Sequence, residues 1–361
     1  MYVKVENLKE GHILLDDVIG KSPVPLMEKE TALTNWHIKI LEAFLVNEVA
    51  IVEGQLSEVV AKTETSEEKK SNKITPVPSQ RTDFFQHYLQ SVEEHKKEFQ
   101  KWQAGSGVDI VKIREMILPL LDKAIDNPDV FWKISNYVEK GNYISHHSIS
   151  TGLLSGMIAM QLDYEKGMVV QSALAGTLAD CGMARINPRI LLKETSLTAG
   201  ERKEVDNHPF LSYKMVKDIK LLKQEAKLAV FQHHERLDGS GYVNGVKAEK
   251  LLLISRIVAL ADVFHAMTAE RPYRDRQLIF KVLEMFRQDF FGQFDLSAVK
   301  ALTNLFTKLP SGTTVQLSDG QIATILFMKQ QQPTRPLLQL QKDDTILDLE
   351  KRRDLYIEKI L

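Results

Sequence analysis

Cysteine is almost absent: Cys181 is the only one in 361 residues. That excludes a disulfide framework within the chain and suits a reducing compartment. Long hydrophobic runs are absent too. No segment reaches the ~18 uninterrupted apolar residues of a membrane-spanning helix. The best candidate, LLLISRIVALADVF, carries Arg256 and Asp262 and reads as a buried helix. The first residues, MYVKVENLKEGH, lack the apolar core of a signal peptide. An excess of charge of either sign is missing as well, the formal net charge being -1. Bulk electrostatics therefore give no case for nucleic acid or a membrane surface as partner. No internal repeat is visible. The expectation is a soluble, cytoplasmic protein.

What is present suggests several parts, since this length allows two or three domains. Residues 1–60 alternate: MYVKV and VAIVEG read as strands, with TNWHIKILEAFLV between them as an amphipathic helix. This predicts a small α+β module of regulatory type. Residues 61–82 are polar, charged and rich in proline towards their end, which reads as a linker. Residues 83–309 carry helical periodicity almost throughout, and KGMVVQSALAGTLAD is apolar enough to lie in the core. In residues 310–361, TTVQLSDGQIATILF has two alternating runs around Asp-Gly, a hairpin signature. PLLQLQK adds a possible third strand, and ILDLEKRRDLYIEKIL is expected to close the chain as a helix. The fold class is mainly α, a helical bundle between a small α+β module and a short β-rich extension.

Histidine is unevenly spread. Six of the ten fall between residues 146 and 265, namely His146, His147, His208, His233, His234 and His265. Asp180 and Asp262 stand in otherwise apolar helical stretches. A buried carboxylate is costly unless it is paired or bound to a cation. Imidazole and carboxylate together suit Fe, Mn, Zn or Co rather than Ca. Two such cations bridged by one carboxylate can polarise a phosphodiester and activate water. Each of these residues alone also fits a structural role, His as a hydrogen-bonded core residue and Asp180 as a helix cap. Downstream, HHERLDGSGYVNG is a glycine-rich polar turn, and TAERPYRDR places Arg271 and Arg274 beyond Asp262. Arginine forks match phosphate oxygens, although the spacing fits solvated surface residues equally well.

HHERLDGSGYVNG and ADVFHAMTAERPYR, with NHPFLSYKMV and NYISHHSIS in order ahead of them, resemble the HD-GYP family of HD metal-dependent phosphohydrolases. The resemblance covers residues 130–309. It implies an HD-type all-α bundle with a metal site between its helices, and hydrolysis of cyclic di-GMP to the linear dinucleotide or GMP. It implies one or two divalent transition metals, Fe, Mn or Zn. The ligands it implies are His147, Asp180, His208, His233, His234 and Asp262, with Asp180 catalytic and bridging the metals. Arg236, Gly239, Gly241, Tyr242, Arg271 and Arg274 would contact substrate. His146 lies about 100° from His147 on a helix and is not expected to be a ligand.

The chain departs from the family where the pattern reads His-Asp, any residue, Gly, Lys. Here the stretch is Ala179-Asp180-Cys181-Gly182-Met183. One ligand imidazole is a methyl group, and one cation is a thioether. Tyr143 stands where some members carry a Glu for a third metal. His265, three residues after Asp262 and so on the same helix face, is either a replacement ligand or a hydrogen-bonding neighbour of the site. Three functions stay open: a phosphodiesterase slowed by these losses, a degenerate metal- and nucleotide-binding signalling module, and a phosphohydrolase for another nucleotide. Homodimer formation also stays open.

Overall fold

The structure, a computed structural model, describes residues 1–19, 25–27, 29–35, 37–38, 41, 46–52, 80–126, 130–135, 142–193, 195–270 and 276–361. At the N-terminal end, β1 (Tyr2–Lys4) pairs antiparallel with β4 (Glu48–Ala50), and β2 (Val18–Ile19) with β3 (Pro25–Met27). Asn35, His37, Ile38 and Leu41 are helical. Leu14, Leu33, Leu41 and Ile51 are buried beneath these pieces. The expected linker lies outside the described residues up to residue 79.

The bundle opens with α1 (Gln80–Gln103), α2 (Ile110–Asp126) and the short α3 (Val130–Ser135). Its centre is the antiparallel pair α4 (Tyr143–Gln161) and α5 (Lys166–Leu178). Both are apolar on nearly every face, so both are core. They pack very closely. A Cβ at Gly152 would lie 2.0 Å from the Thr177 hydroxyl, and one at Gly176 2.7 Å from the Thr151 carbonyl. This approach sets the end of α5 beside the start of α4, which brings Asp180 to His147.

A 3-10 turn (Cys181–Arg185) and a single helical turn, α6 (Pro188–Leu191), follow. Then α7 (Ala199–Asp206) starts from a Thr198/Glu201 capping box. After it come α8 (His208–Val216), α9 (Gln224–Gln232), α10 (Leu253–Thr268), α11 (Ile279–Arg287) and α12 (Leu296–Thr307).

The C-terminal strands β5 (Thr314–Leu317), β6 (Ile322–Phe327), β7 (Leu337–Leu340), β8 (Ile346–Asp348) and β9 (Ile357–Ile360) form one antiparallel sheet, in the order β8-β7-β6-β5-β9. The expected closing helix is corrected: its residues supply the two edge strands, joined by a turn. The period-two pattern of Tyr356–Ile360 and pairing with β5 override the helical charge spacing. The sheet is a two-faced layer. Ile325, Leu338 and Val315 join the core of the bundle, whereas Leu326 and Leu337 close the core of the N-terminal module. Among the described residues, no helix is long and apolar enough to cross a membrane.

Candidate metal centre

Four helix ends and one turn converge on Asp180. His208 begins α8, where the helix is broken because Pro209 has no N–H to give the Val205 carbonyl. The Nδ1–H of His208 donates to that carbonyl instead, at 2.7 Å. His233 caps the C-terminal end of α9, where the last carbonyls lack helical partners. Its Nδ1–H donates to Val230 O at 2.8 Å. A carbonyl can only accept, so both rings carry their proton on Nδ1 and present a bare Nε2.

Those nitrogens point at each other. His208 Nε2 is 3.1 Å from His233 Nε2, 3.2 Å from His234 Nε2 and 3.0 Å from Asp180 Oδ1. Bare imidazole lone pairs at such distances repel unless a cation sits among them. On the other side of Asp180, Oδ2 is 3.4 Å from His147 Nε2, which lies 2.8 Å from Asp262 Oδ1. Asp262 Oδ2 is in turn 3.6 Å from His234 Nδ1. Two donor sets result, each with its atoms within 4.8 Å of one another. One is Asp180, His208, His233 and His234; the other is His147, Asp180 and Asp262. Asp180 belongs to both and offers one oxygen to each.

The electrostatics agree with a cation-holding site. Burial would push the Asp180 carboxyl up, but the adjoining His208 and His233 side chains hold it well below the usual carboxylate range. Burial likewise opposes ionisation of Asp262, and the neighbouring His147 and His234 side chains reverse this, keeping it below the usual carboxylate range. Burial disfavours the charged form of His208, and Asp180 more than offsets it, raising its pKa. His234 is held well below its ordinary value, first by burial and then by the neighbouring His233. The donor set fits a nitrogen-rich divalent transition metal.

The other expected residues are placed as follows. His146 turns away to the Tyr88 hydroxyl, 3.0 Å from its Nδ1. The Tyr143 ring stacks on His147, with centroids 5.5 Å apart. Tyr242 stacks on His234 at 4.6 Å. Gly241 makes that possible, because a Cβ there would lie 2.4 Å from His234 O; Gly239 turns the loop at φ +83°. The Arg236 guanidinium lies over Phe294 and donates to the carbonyls of His233 and Glu235, so the structure turns it to the loop backbone. Arg271 and Arg274 lie outside the described residues. Ala179 is buried and brings no donor, and Met183 packs against the bundle core. His265 faces the rear nitrogen of His147 at 2.9 Å, so it does not stand in the gap left by Ala179.

Two residues escaped the sequence reading. Glu235 is buried and accepts from the N–H groups of Asn244 and Val246, tying the glycine-rich loop into a ring. His95, on α1, is buried with its Nδ1 3.1 Å from Ser145 Oγ. The spacing HHE could have flagged Glu235; His95, isolated on a long amphipathic helix, gave no signal. An open cleft of about 620 Å³, lined in part by Lys203, Asp206, Asn207 and Tyr242, adjoins the centre.

Residues 137–289 match the HD domain family model. This region is an HD domain. Its glycine-tyrosine loop, with Tyr242 stacked on His234, is similar to that of the HD-GYP type. The chain is 26% identical over 230 residues to a cyclic di-GMP phosphodiesterase of Pseudomonas aeruginosa, covering 63% of this chain and 55% of that one. It is 31% identical over 171 residues to a 3'3'-cGAMP-specific phosphodiesterase of Vibrio cholerae, covering 47% and 37%. It is 36% identical over 131 residues to a cyclic di-GMP phosphodiesterase of Thermotoga maritima, covering 36% and 35%. The chain thus spans about a third to about half the length of these curated relatives. HD domains of this kind are metal-dependent, and the His/Asp cluster lies within the matched residues.

Proposed function

We propose that the chain is a metal-dependent phosphodiesterase acting on a cyclic dinucleotide, cyclic di-GMP in the first instance, and opening it to the linear dinucleotide or GMP. The observation that carries this reading is the meeting of Asp180, His208, His233 and His234 within 4.8 Å beside an open cleft. The names of the relatives point to the same substrate class. Bound there, an Fe, Mn or Zn ion would polarise the phosphodiester and lower the pKa of water.

The chain's own groups have distinct parts. His208, His233 and His234 present nitrogens toward one point, and Asp180 offers Oδ1 to that point and Oδ2 to the His147 side. This arrangement suits a carboxylate bridging two cations. Tyr242 gives a base an aromatic face next to His234, and Lys203 gives phosphate a cation across the cleft. Arg271 and Arg274 are proposed as further phosphate contacts. The His147 set has three donors where the four-donor set is complete. A cation bound by the His147 set would therefore be the more weakly held of the two.

A second reading rests on Ala179 and Met183, which leave a neutral, donor-free wall beside Asp180. In it the HD domain binds cation and nucleotide and reports occupancy to the flanking parts without turnover. Loss of one group that stabilises developing charge costs about 10²–10³ in rate. Assays of cyclic di-GMP binding and of hydrolysis with added Mn or Fe separate the readings. Slow hydrolysis abolished by Asp180→Ala supports the phosphodiesterase. Tight binding with no product supports the reporter. Neither binding nor hydrolysis of any cyclic dinucleotide contradicts both.

A further inference from the structure

His265 is buried, close to the centre, and absent from both donor sets. Its place follows from helix geometry. Asp262 and His265 are three residues apart on α10, so they share a face. Between them they hold one ring at both ends. Asp262 Oδ1 is 2.8 Å from Nε2 of His147, and His265 Nδ1 is 2.9 Å from its Nδ1. Tyr143, one turn earlier on α4, lies flat against the same ring at 18°. The ring has no free rotation left.

We propose, building on the metal reading above, that His265 is a positioning residue: its Nδ1 accepts the Nδ1 proton of His147 and so leaves Nε2 of His147 bare toward Asp180 and Asp262. Two imidazole nitrogens 2.9 Å apart share one proton, and one ring must accept. A His that ligates through Nε2 carries its proton on Nδ1 and needs an acceptor there. His265 then carries its own proton on Nε2. The three-donor set lacks the imidazole that a histidine in place of Ala179 would supply, so it depends most on correct orientation of His147.

The test counts cations and their affinities by chelator competition with Mn and Zn, on the full chain. It compares wild type with His265→Phe, which fills the space without an acceptor, and His265→Asn, whose amide oxygen accepts. Expected is a loss of about 10–100-fold in the weaker site for the Phe variant, recovery in the Asn variant, and an unchanged tighter site in both. A packing role predicts the reverse order, with Phe tolerated and Asn impaired. That order, or equal affinities in all three proteins, overturns the proposal while leaving the metal reading intact. Absence of any cation in the wild type overturns both. Two-bond proton–nitrogen NMR gives a readout independent of affinity: the zinc-loaded wild type should show His147 protonated at Nδ1, and protonation at Nε2 overturns the proposal.

Discussion

His95 shows what a single buried side chain does beside this centre. Its ring is fully enclosed, and burial lowers its pKa to about 4, against weaker opposing pulls from Asp180 and Glu98. The unfolded chain takes up a proton near the ordinary value, about 6.5, whereas the folded chain resists until about 4. Stability is therefore lost as pH falls between those values, by about 3 kcal/mol in total, and is unaffected above. His95→Phe should flatten the decline in unfolding free energy between pH 6.5 and pH 4 relative to wild type; an unchanged slope would contradict the assignment. A second residue-scale expectation concerns the HD motif. Restoring the missing groups with Ala179→His and Met183→Lys should raise hydrolysis by about 10²–10³, read as initial rate with Mn. No gain would place the defect elsewhere. The clustered histidines were legible because four of them and two carboxylates recur in apolar or turn contexts over little more than a hundred residues. His95 was not, since its neighbourhood exists only once α1 has packed onto α4 and the turn after Asp180.

At the scale of elements, the pair α4 and α5 sets the distance between His147 and Asp180. Gly176 faces the Thr151 carbonyl and Gly152, so an added methyl has nowhere to go. Gly176→Ala should cost about 1–3 kcal/mol in urea unfolding and weaken cation uptake at the His147 side more than at the His208 side. Equal uptake at both would mean that the helix spacing is not what sets the site. The apolar run of α5 and the Asp-Gly hairpin were readable, because period and turn chemistry are local signals. The final strands were not. Arg352, Arg353 and Lys351 favour solvent in either conformation, and only pairing of Ile357–Ile360 with β5 decides for a strand. Nothing in the sequence says that His208 and His233 repair the helix ends where they stand and thereby fix their own tautomers.

Across the whole molecule, the C-terminal sheet joins parts that the sequence presents as separate. Its Leu326 and Leu337 complete the core of the N-terminal module, while Ile325 and Leu338 belong to the bundle. Arg335 fastens it. The guanidinium is buried, pairs with Glu284 of α11 at 2.5 and 2.6 Å, donates to Leu355 O at 2.7 Å and lies over Tyr356. Removing one partner of such a pair strands the other, at a cost of about 3–5 kcal/mol. Arg335→Ala should lower the urea midpoint accordingly and loosen the sheet from α11, seen as faster amide exchange in β7 and β9; unchanged exchange there would contradict this role. The account's central claim is tested most directly by counting metal per chain in purified wild type and Asp180→Ala. It predicts one tightly held transition-metal ion in the wild type, a second only when metal is in excess, and neither in the variant. A metal-free wild type under metal-replete conditions, or equal metal in both proteins, would contradict it.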